Sequence, residues 1–123
     1  MITENYVSFE TAKLLKEKGF NKDAYTMYMY DKNGEAKDVL LLRVGEEPVL
    51  RPTIQMAMKW LREVHNLYID PYPEDNNTWC LIIWKLYPKR VIQCNGKYDD
   101  YSYSTYEEAC EAAIKYCLGK MEA

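Results

Sequence analysis

The 123-residue sequence lacks several common signatures of catalytic and nucleotide-binding sites. It has one histidine, no HExxH pair for zinc and no GxSxG turn for a serine nucleophile. The signatures GxGxxG and GxxxxGK[ST], which hold nucleotide phosphates, are also missing. Three pairs of adjacent carboxylates are expected to be solvated charges rather than acid–base pairs, namely Glu46-Glu47, Asp99-Asp100 and Glu107-Glu108. The sequence therefore predicts a protein without catalytic activity, metal ion or cofactor.

Charge and hydrophobicity limit the partners that the chain can have. Its 16 lysines and arginines and 19 aspartates and glutamates give a net charge of −3, without clustered cations to neutralise phosphates. No apolar run reaches the roughly 20 residues that a membrane-spanning helix needs. The first ten residues, MITENYVSFE, lack the basic and apolar regions of a secretory signal. We expect a cytoplasmic protein that binds neither membranes nor, in general, nucleic acids.

Four cysteines are present, and none belongs to a CxxC pair. A chain of this length can form a core without disulfides, and no secretory signal indicates an oxidising compartment. Cys110 and Cys117 are seven residues apart and would share one helix face, but two thiolates and one histidine make a poor zinc site. We expect Cys80, Cys94, Cys110 and Cys117 to be reduced thiols with structural roles.

The N-terminal part of the sequence predicts one helix followed by a hairpin. Ser8 is a suitable N-cap for a short amphipathic helix, and Gly19 is a suitable C′ residue after it. Residues 24–30 and 38–44 have the composition of strands. The seven residues between them, DKNGEAK, contain the Asn-Gly dipeptide that is common in hairpin turns, so we expect these two strands to pair.

A second helix is predicted from Thr53, which follows a proline and can cap the first turn. At 100° per residue, its apolar side chains form one continuous arc opposite a charged side. The arc consists of Ile54, Ala57, Met58, Leu61, Val64 and His65. The next residue, Asn66, tolerates the left-handed conformation that ends many helices.

His65, the only histidine, lies near the middle of this arc and in the last helical turn. An imidazolium there would interact favourably with the negative end of the helix dipole and could bond a terminal carbonyl. No nucleophile or metal-ligand motif accompanies it. We therefore expect a structural role at the end of the helix rather than a catalytic one.

The C-terminal part predicts two or three strands and a final helix. Residues 67–72 and 78–87 are strand-like, and the second has apolar side chains on both faces, which predicts that both faces are covered. Residues 91–94 are a weaker third candidate. The last helix has Thr105 as N-cap with a glutamate three residues later, and Gly119 as the expected C′ terminator.

Together these elements predict an α+β protein. Three helices pack on an antiparallel sheet in the order α-β-β-α-β-β-(β)-α. We interpret residues 1–123 as a single domain, with a helix and a hairpin in 1–50 and a helix, strands and a final helix in 51–123.

Tyrosine is unusually frequent, with twelve residues against two phenylalanines. Its large ring and polar tip suit half-buried sheets and protein interfaces. The segment YDDYSYSTYEE places tyrosines around two aspartates, which could imitate a nucleic-acid surface or fit a basic groove of a host protein. It predicts an interaction surface formed by Tyr98, Asp99, Asp100, Tyr101 and Tyr103. The alternative is an ordinary solvated loop before a capped helix.

The order helix, strand, strand, strand, helix from Thr53 to Leu118 resembles that of double-stranded RNA-binding domains. The segment STYEEACEAAIKYCL is similar to the alanine-rich final helix of that family. The resemblance implies an αβββα architecture and, as an alternative function, a degenerate nucleic-acid-binding module. Such domains have lysines at the start of the last helix to hold phosphates. This chain has Tyr106, Glu107 and Glu108 there, and the two carboxylates would repel RNA.

Three segments together resemble a recurrent group of small uncharacterised proteins encoded in prophage-like and mobile-element regions of gut anaerobes. They are VSFETAKLLKEKGF, RPTIQMAMKWLREVHNLYI and TYEEACEAAIKYCL. The group has no assigned activity, so the resemblance gives no residue a role. It implies a cytosolic accessory protein of phage or mobile-element origin.

These observations favour a non-catalytic interaction protein that binds a protein partner or a second copy of itself. Three helices and one sheet leave apolar strand surface that a second subunit of a homodimer could bury. The alternative is that the helices and the first hairpin cover this surface within one chain. A phage-type inhibitor that binds a host protein through the acidic, tyrosine-rich segment is the second hypothesis.

Overall fold

The computed structural model describes residues 5–20, 28–30, 33–38, 49–74, 77–95 and 102–121. In chain order the elements are α1 (Phe9–Glu17), β1 (Tyr28–Tyr30), β2 (Ala36–Asp38), β3 (Val49–Leu50), α2 (Ile54–His65), β4 (Leu67–Pro73), β5 (Trp79–Lys85), β6 (Arg90–Asn95) and α3 (Tyr106–Lys120). The predicted α+β class is confirmed. Within these residues, no helix combines the length and the apolar character that crossing a membrane requires.

Helix α1 begins and ends where its local sequence predicts. The Ser8 hydroxyl accepts a hydrogen bond from the backbone N–H of Thr11 at 3.2 Å. At the other end, Gly19 has a φ of +101°, and the N–H of Phe20 donates to the carbonyl of Leu15 at 2.9 Å. This is the hydrogen-bond pattern of a Schellman motif, in which glycine takes up the left-handed conformation without steric cost.

The first sheet contains the predicted hairpin and one additional strand. Strand β1 pairs antiparallel with β2 through Tyr30 and Ala36, and antiparallel with β3 on its other side. The second strand of the hairpin begins at Ala36 rather than at residue 38, because the turn is shorter than the polar sequence predicts. Strand β3 was not predicted, since two residues carry no periodicity. Residues 24–27 and 39–44 of the predicted strands lie outside the described residues.

Helix α2 has both predicted ends. The Thr53 hydroxyl accepts a hydrogen bond from the N–H of Met56 at 3.1 Å, and Asn66 has the left-handed φ of 58°. Four members of the predicted arc are buried, namely Ile54, Ala57, Met58 and Leu61. Val64 was wrongly predicted to be buried: its side chain is 58% exposed, because it lies at the margin of the arc in the last turn.

The second sheet has the order β4-β5-β6 and is antiparallel throughout. Strand β6 confirms the third strand that residues 91–94 predict, and a register shift at Ile83 and Trp84 marks an irregularity in its pairing with β5. Helices α2 and α3 contact β4, and α3 also contacts β5. The side chains of Leu67, Ile69, Leu81 and Ile83 are buried in the core with those of the helices. We name this side of the sheet the inner face.

Helix α3 is capped by the hydroxyl of Thr105, which accepts from the N–H of Glu108 at 3.1 Å. Its buried side chains are those of Ala109, Cys110, Ala113, Ile114, Cys117 and Leu118. The prediction that Gly119 ends this helix is wrong, since the helix continues to Lys120. Small side chains along this face let α3 lie close to the sheet.

Helices α1 and α3 lie side by side and run in the same direction. The start of α1 is bonded to Glu111, and the Nζ of Lys18, just after α1, donates to the carbonyl of Met121 at 2.9 Å. Between these points Lys115 and Glu10 form an ion pair at 3.3 Å. This parallel pair brings the N-terminal segment against the first turns of α3.

Candidate functional site

The predicted interaction surface lies only partly within the described residues. Tyr98, Asp99, Asp100 and Tyr101 are outside them. Tyr103 pairs with Trp79 at the start of β5: the N–H of Trp79 donates to the Tyr103 carbonyl at 2.7 Å, and the Tyr103 N–H donates back at 2.8 Å. Tyr103 is therefore held to the start of β5, immediately before α3.

Tyr103 stands at one end of a cleft of about 770 Å³. One wall is the N-terminal segment with Arg51, and the other is the first half of α3. The cleft is lined in part by the side chains of Tyr6, Arg51, Tyr103, Glu107, Glu108 and Lys115. This volume lies within the range of about 300–1,000 Å³ that is usual for ligand-binding clefts.

Most charged groups of the cleft are engaged within the protein. The Oε1 of Glu111 accepts hydrogen bonds from the Ser8 N–H and from the Thr11 hydroxyl, the second at 2.6 Å. Lys115 forms its ion pair with Glu10 on α1. The Arg51 guanidinium lies 4.0 Å from the centre of the Tyr6 ring, which is a cation–π contact.

Two carboxylates of the cleft remain available. Across the described residues, Glu107 and Glu108 have no hydrogen-bond or ion-pair partner for their side chains. Both lie in the first turn of α3, where the partial positive charge of the helix end stabilises them. The cleft therefore combines two negative charges with the rings of Tyr6 and Tyr103.

The start of α3 is held in place by contacts that Tyr106 makes with β5 and α2. The rings of Trp79 and Tyr106 pack edge to face, with 5.3 Å between their centres. The Tyr106 hydroxyl accepts a hydrogen bond from the Gln55 amide at 2.9 Å, which ties the start of α3 to α2. Burial raises the pKa of Tyr106. This ring is therefore neutral and serves to position the start of α3.

The second candidate surface is the side of the β4-β5-β6 sheet that faces away from the helices, which we name the outer face. Alternation along the strands places on it Tyr68, Asp70, Tyr72, Cys80, Ile82, Trp84, Val91 and Cys94. Ile82 and Trp84 are half-buried, whereas Leu81 and Ile83 on the inner face are buried. Cys80, also on the outer face, is buried, so both faces of β5 are covered, the outer one less completely.

One end of the outer face is polar and internally bonded. The Cys80 thiol donates a hydrogen bond to Glu74, and a further side-chain hydrogen bond joins Cys80 to Tyr72. Burial raises the pKa of Tyr72 to about 12 and that of Cys80 to about 11. Both groups are neutral at physiological pH, which favours a structural role for this cluster.

His65 is not among the residues that line the cleft. Its ring lies 4.6 Å from that of Trp60, edge to face, and its buried Nε2 atom has no hydrogen-bond partner among the described residues. Burial, followed by the positive charge of Lys85, lowers its pKa. The lowered pKa disfavours an imidazolium at this helix end. Lys85 supplies the cation instead, since its Nζ donates to the His65 carbonyl at 3.3 Å.

Of the described residues that line the cleft, the sequence-predicted surface includes only Tyr103. The sequence did not assign Tyr6 and Arg51 to a site, and it predicted Glu107 and Glu108 to be solvated charges. Tyr6 and Arg51 belong to the cleft only because Tyr6 and Thr53 form an antiparallel bridge, which no local sequence pattern predicts.

Among the residues described, no three His, Cys, Asp or Glu side chains are grouped so that they could hold a metal ion. Comparison of the chain with protein-family models, with curated proteins and with solved structures gave no match.

Proposed function

We propose that this protein is a non-catalytic interaction module, and that its cleft binds a basic segment of a partner protein. The observation that carries the proposal is the pair of available carboxylates, Glu107 and Glu108, beside the rings of Tyr6 and Tyr103. A lysine or arginine side chain has a charged head for the carboxylates and an apolar stem for a ring.

The surroundings of the cleft support a binding role rather than catalysis. The third carboxylate, Glu111, is held by two hydrogen bonds from α1, so it is not available as an acid or base. The nearest cation on α3, Lys115, is paired with Glu10. A protein encoded on a phage or mobile element, as the sequence resemblance implies, would use such a cleft to bind a host protein.

The test is the binding of a fluorescein-labelled peptide of alternating arginine and alanine, measured by fluorescence anisotropy. We expect binding that weakens as NaCl is raised from about 50 to about 200 mM, because exposed charge pairs are screened by salt. The double variant Glu107→Gln/Glu108→Gln should weaken binding at least about tenfold, since two charged hydrogen bonds are lost.

The matched control is Glu17→Gln/Glu63→Gln, which makes the same change of net charge at two exposed positions outside the cleft. It should retain the affinity of the wild type. If both double variants weaken binding equally, the attraction is a general effect of charge and the proposal fails. The proposal also fails if the wild type binds no basic peptide at low salt.

A second candidate function has one observation in its favour, the order α2-β4-β5-β6-α3. This order is the one on which the resemblance to double-stranded RNA-binding domains rests. The start of α3 presents Glu107 and Glu108 where phosphates would have to approach, and this disfavours RNA. A mobility shift of a 20-base-pair RNA duplex at low salt, lost on substitution of lysines or arginines, would favour RNA binding over the cleft proposal.

A further inference from the structure

We propose that the outer face of the β4-β5-β6 sheet binds a second copy of this chain, related by a two-fold axis that runs parallel to β5. This surface lies on strands that do not line the cleft, so the inference is independent of the proposed peptide binding.

Exposed apolar groups are concentrated at one end of this face. The register places Tyr68, Trp84 and Val91 side by side across all three strands. Tyr68 is 39% and Val91 47% exposed, and Tyr87, in the turn just beyond, is 83% exposed. Of the four large apolar side chains that are exposed among the described residues, Tyr68 and Val91 lie on this face, Tyr87 lies in the turn that follows β5, and Val64 lies on α2. Such a concentration on one surface is typical of a protein contact.

The pattern of this face is complementary to itself. A two-fold axis along β5 places β4 of one copy over β6 of the other. Ile82 and Trp84 then meet their own equivalents near the axis, and Tyr68 lies over Val91 of the second copy. Contacts in which the same residues meet from both sides are the rule for two-fold dimers. Aligned sheets pack in this way about 10 Å apart.

The charges of the face fit the same arrangement. Asp70 lies on β4 in the row of Ile82 and Cys94, so the axis places it over the β6 side of the second copy. Lys89 lies on that side, one row away, with its Nζ 4.5 Å from the centre of the Trp84 ring. Each copy thus brings one anion next to a cation of the other. The second acidic group, Glu74, is held by Cys80.

The area of the face indicates a weak rather than a permanent dimer. Three strands of about seven residues cover about 14 by 23 Å, or about 300 Å² in projection. Side chains project from the sheet, so the accessible surface of the face is larger than its projected area. Two copies would bury roughly 1,000 Å² of accessible surface in total, which is at the lower limit for a specific interface. The nearly balanced charge of the face gives no advantage to a strongly charged partner, and this favours a second copy.

Sedimentation velocity from about 5 to about 500 µM tests the proposal, because a weak interface assembles only at high concentration. We expect the wild type to shift from monomer to dimer over this range. Ile82→Lys should abolish the shift, since the axis brings the two lysines together. The matched control is Val64→Lys, a comparable loss of an apolar side chain on α2, which should dimerise like the wild type.

A charge exchange tests the arrangement itself. Asp70→Lys and Lys89→Asp should each weaken the dimer at least about tenfold, and the double variant should restore it, because opposite charges again face each other. A circular-dichroism melt of each variant shows that the monomer is folded. A wild type that stays monomeric, an Ile82→Lys variant that still dimerises, or a double variant that is not rescued would each overturn the proposal. None of these results affects peptide binding in the cleft.

Discussion

The backbone N–H of Ser8 donates a hydrogen bond of 2.9 Å to the Oε1 atom of Glu111, a residue 103 positions further along the chain. In a capping box, the glutamate that accepts from the N-cap N–H is the third residue of the same helix. That position in α1 is Thr11, whose hydroxyl also donates to Glu111. The carboxylate that caps α1 is therefore supplied by α3. The N-terminal cap of α1 is thus also a contact between the two helices.

Replacing Glu111 should lower the free energy of unfolding. Glu111→Ala removes a charged acceptor shared by two donors, so we expect a loss of about 2 kcal/mol in urea unfolding. Glu111→Gln keeps one acceptor oxygen and should lose about half as much. Glu63→Gln, at an exposed position on α2, is the control and should change stability by less than about 0.5 kcal/mol. Equal stability of Glu111→Ala and wild type would show that the contact does not stabilise the fold.

Substitutions at two glycines can distinguish the cost of backbone strain from the cost of a steric contact. Gly19 and Gly34 both have positive φ, +101° and +85°. A Cβ atom on Gly19 would have nothing within 4 Å, whereas one on Gly34 would lie 2.8 Å from the Cδ2 atom of Phe9. The hairpin turn therefore packs directly on the first residue of α1.

Gly19→Ala should cost about 1 kcal/mol, which is the strain of the left-handed conformation alone. Gly34→Ala should cost roughly 2–3 kcal/mol, because the Phe9 ring must also move. Thermal unfolding of both variants measures the difference. Adding Phe9→Leu should recover most of the excess cost of Gly34→Ala, and if it recovers none, the contact with the ring is not the cause.

Local signals in the sequence predicted the ends of elements well. Ser8, Thr53 and Thr105 all cap helices, and Asn66 and Gly19 take the left-handed conformation, because each of these effects depends only on neighbouring residues. The order of the last five elements was also predictable, since the strands and helices there are long enough to show their periods.

Contacts between distant segments were not predictable in the same way. The cleft depends on the bridge between Tyr6 and Thr53 and on the bridge between Tyr103 and Trp79 at the start of β5. Both are single bridges without a repeating pattern. The sequence therefore indicated Tyr103 as a surface residue, but not that Tyr6, Arg51 and the glutamates of α3 would line one cleft with it.

Gly119 provides a test of the corrected end of α3. The residue lies inside the helix and is exposed, and a Cβ atom added to it would have nothing within 4 Å. Gly119→Ala should therefore stabilise the protein by about 0.5–1 kcal/mol, because alanine loses less conformational freedom in a helix. A glycine at a left-handed C′ position would give the opposite sign. A lower melting temperature of Gly119→Ala than of wild type would therefore contradict the extended helix.

The single histidine makes the stability of the fold depend on pH. The pKa of His65 in the folded protein lies below its ordinary value of 6.5, so the unfolded chain takes up the proton first as the pH falls. The stability that depends on the neutral ring is complete above about pH 6.5 and is lost as the pH falls through 6.5 towards the folded pKa. Acid should therefore destabilise the wild type more than a variant without this histidine.

Two measurements check this expectation. The Hε1 signal of the only histidine should titrate with a midpoint below 6.5. Urea unfolding at several pH values should show a smaller loss of stability from pH 7 to pH 5 for His65→Gln than for wild type. His65→Gln should itself lower stability modestly at pH 7 and leave peptide binding in the cleft unchanged. A midpoint above 6.5 would contradict the environment formed by Trp60 and Lys85.

The four cysteines should differ sharply in reactivity. Cys94 is exposed, whereas Cys80, Cys110 and Cys117 are buried. Burial raises the pKa of the Cys110 thiol to about 11 and that of Cys117 to about 12, and a rise from 9 to 11 lowers the thiolate fraction about a hundredfold. Iodoacetamide at pH 8, followed by mass spectrometry, should label Cys94 alone in the folded protein and all four in urea. Cys94→Ser should abolish the fast reaction, and rapid labelling of Cys117 in the folded protein would contradict its place in the core.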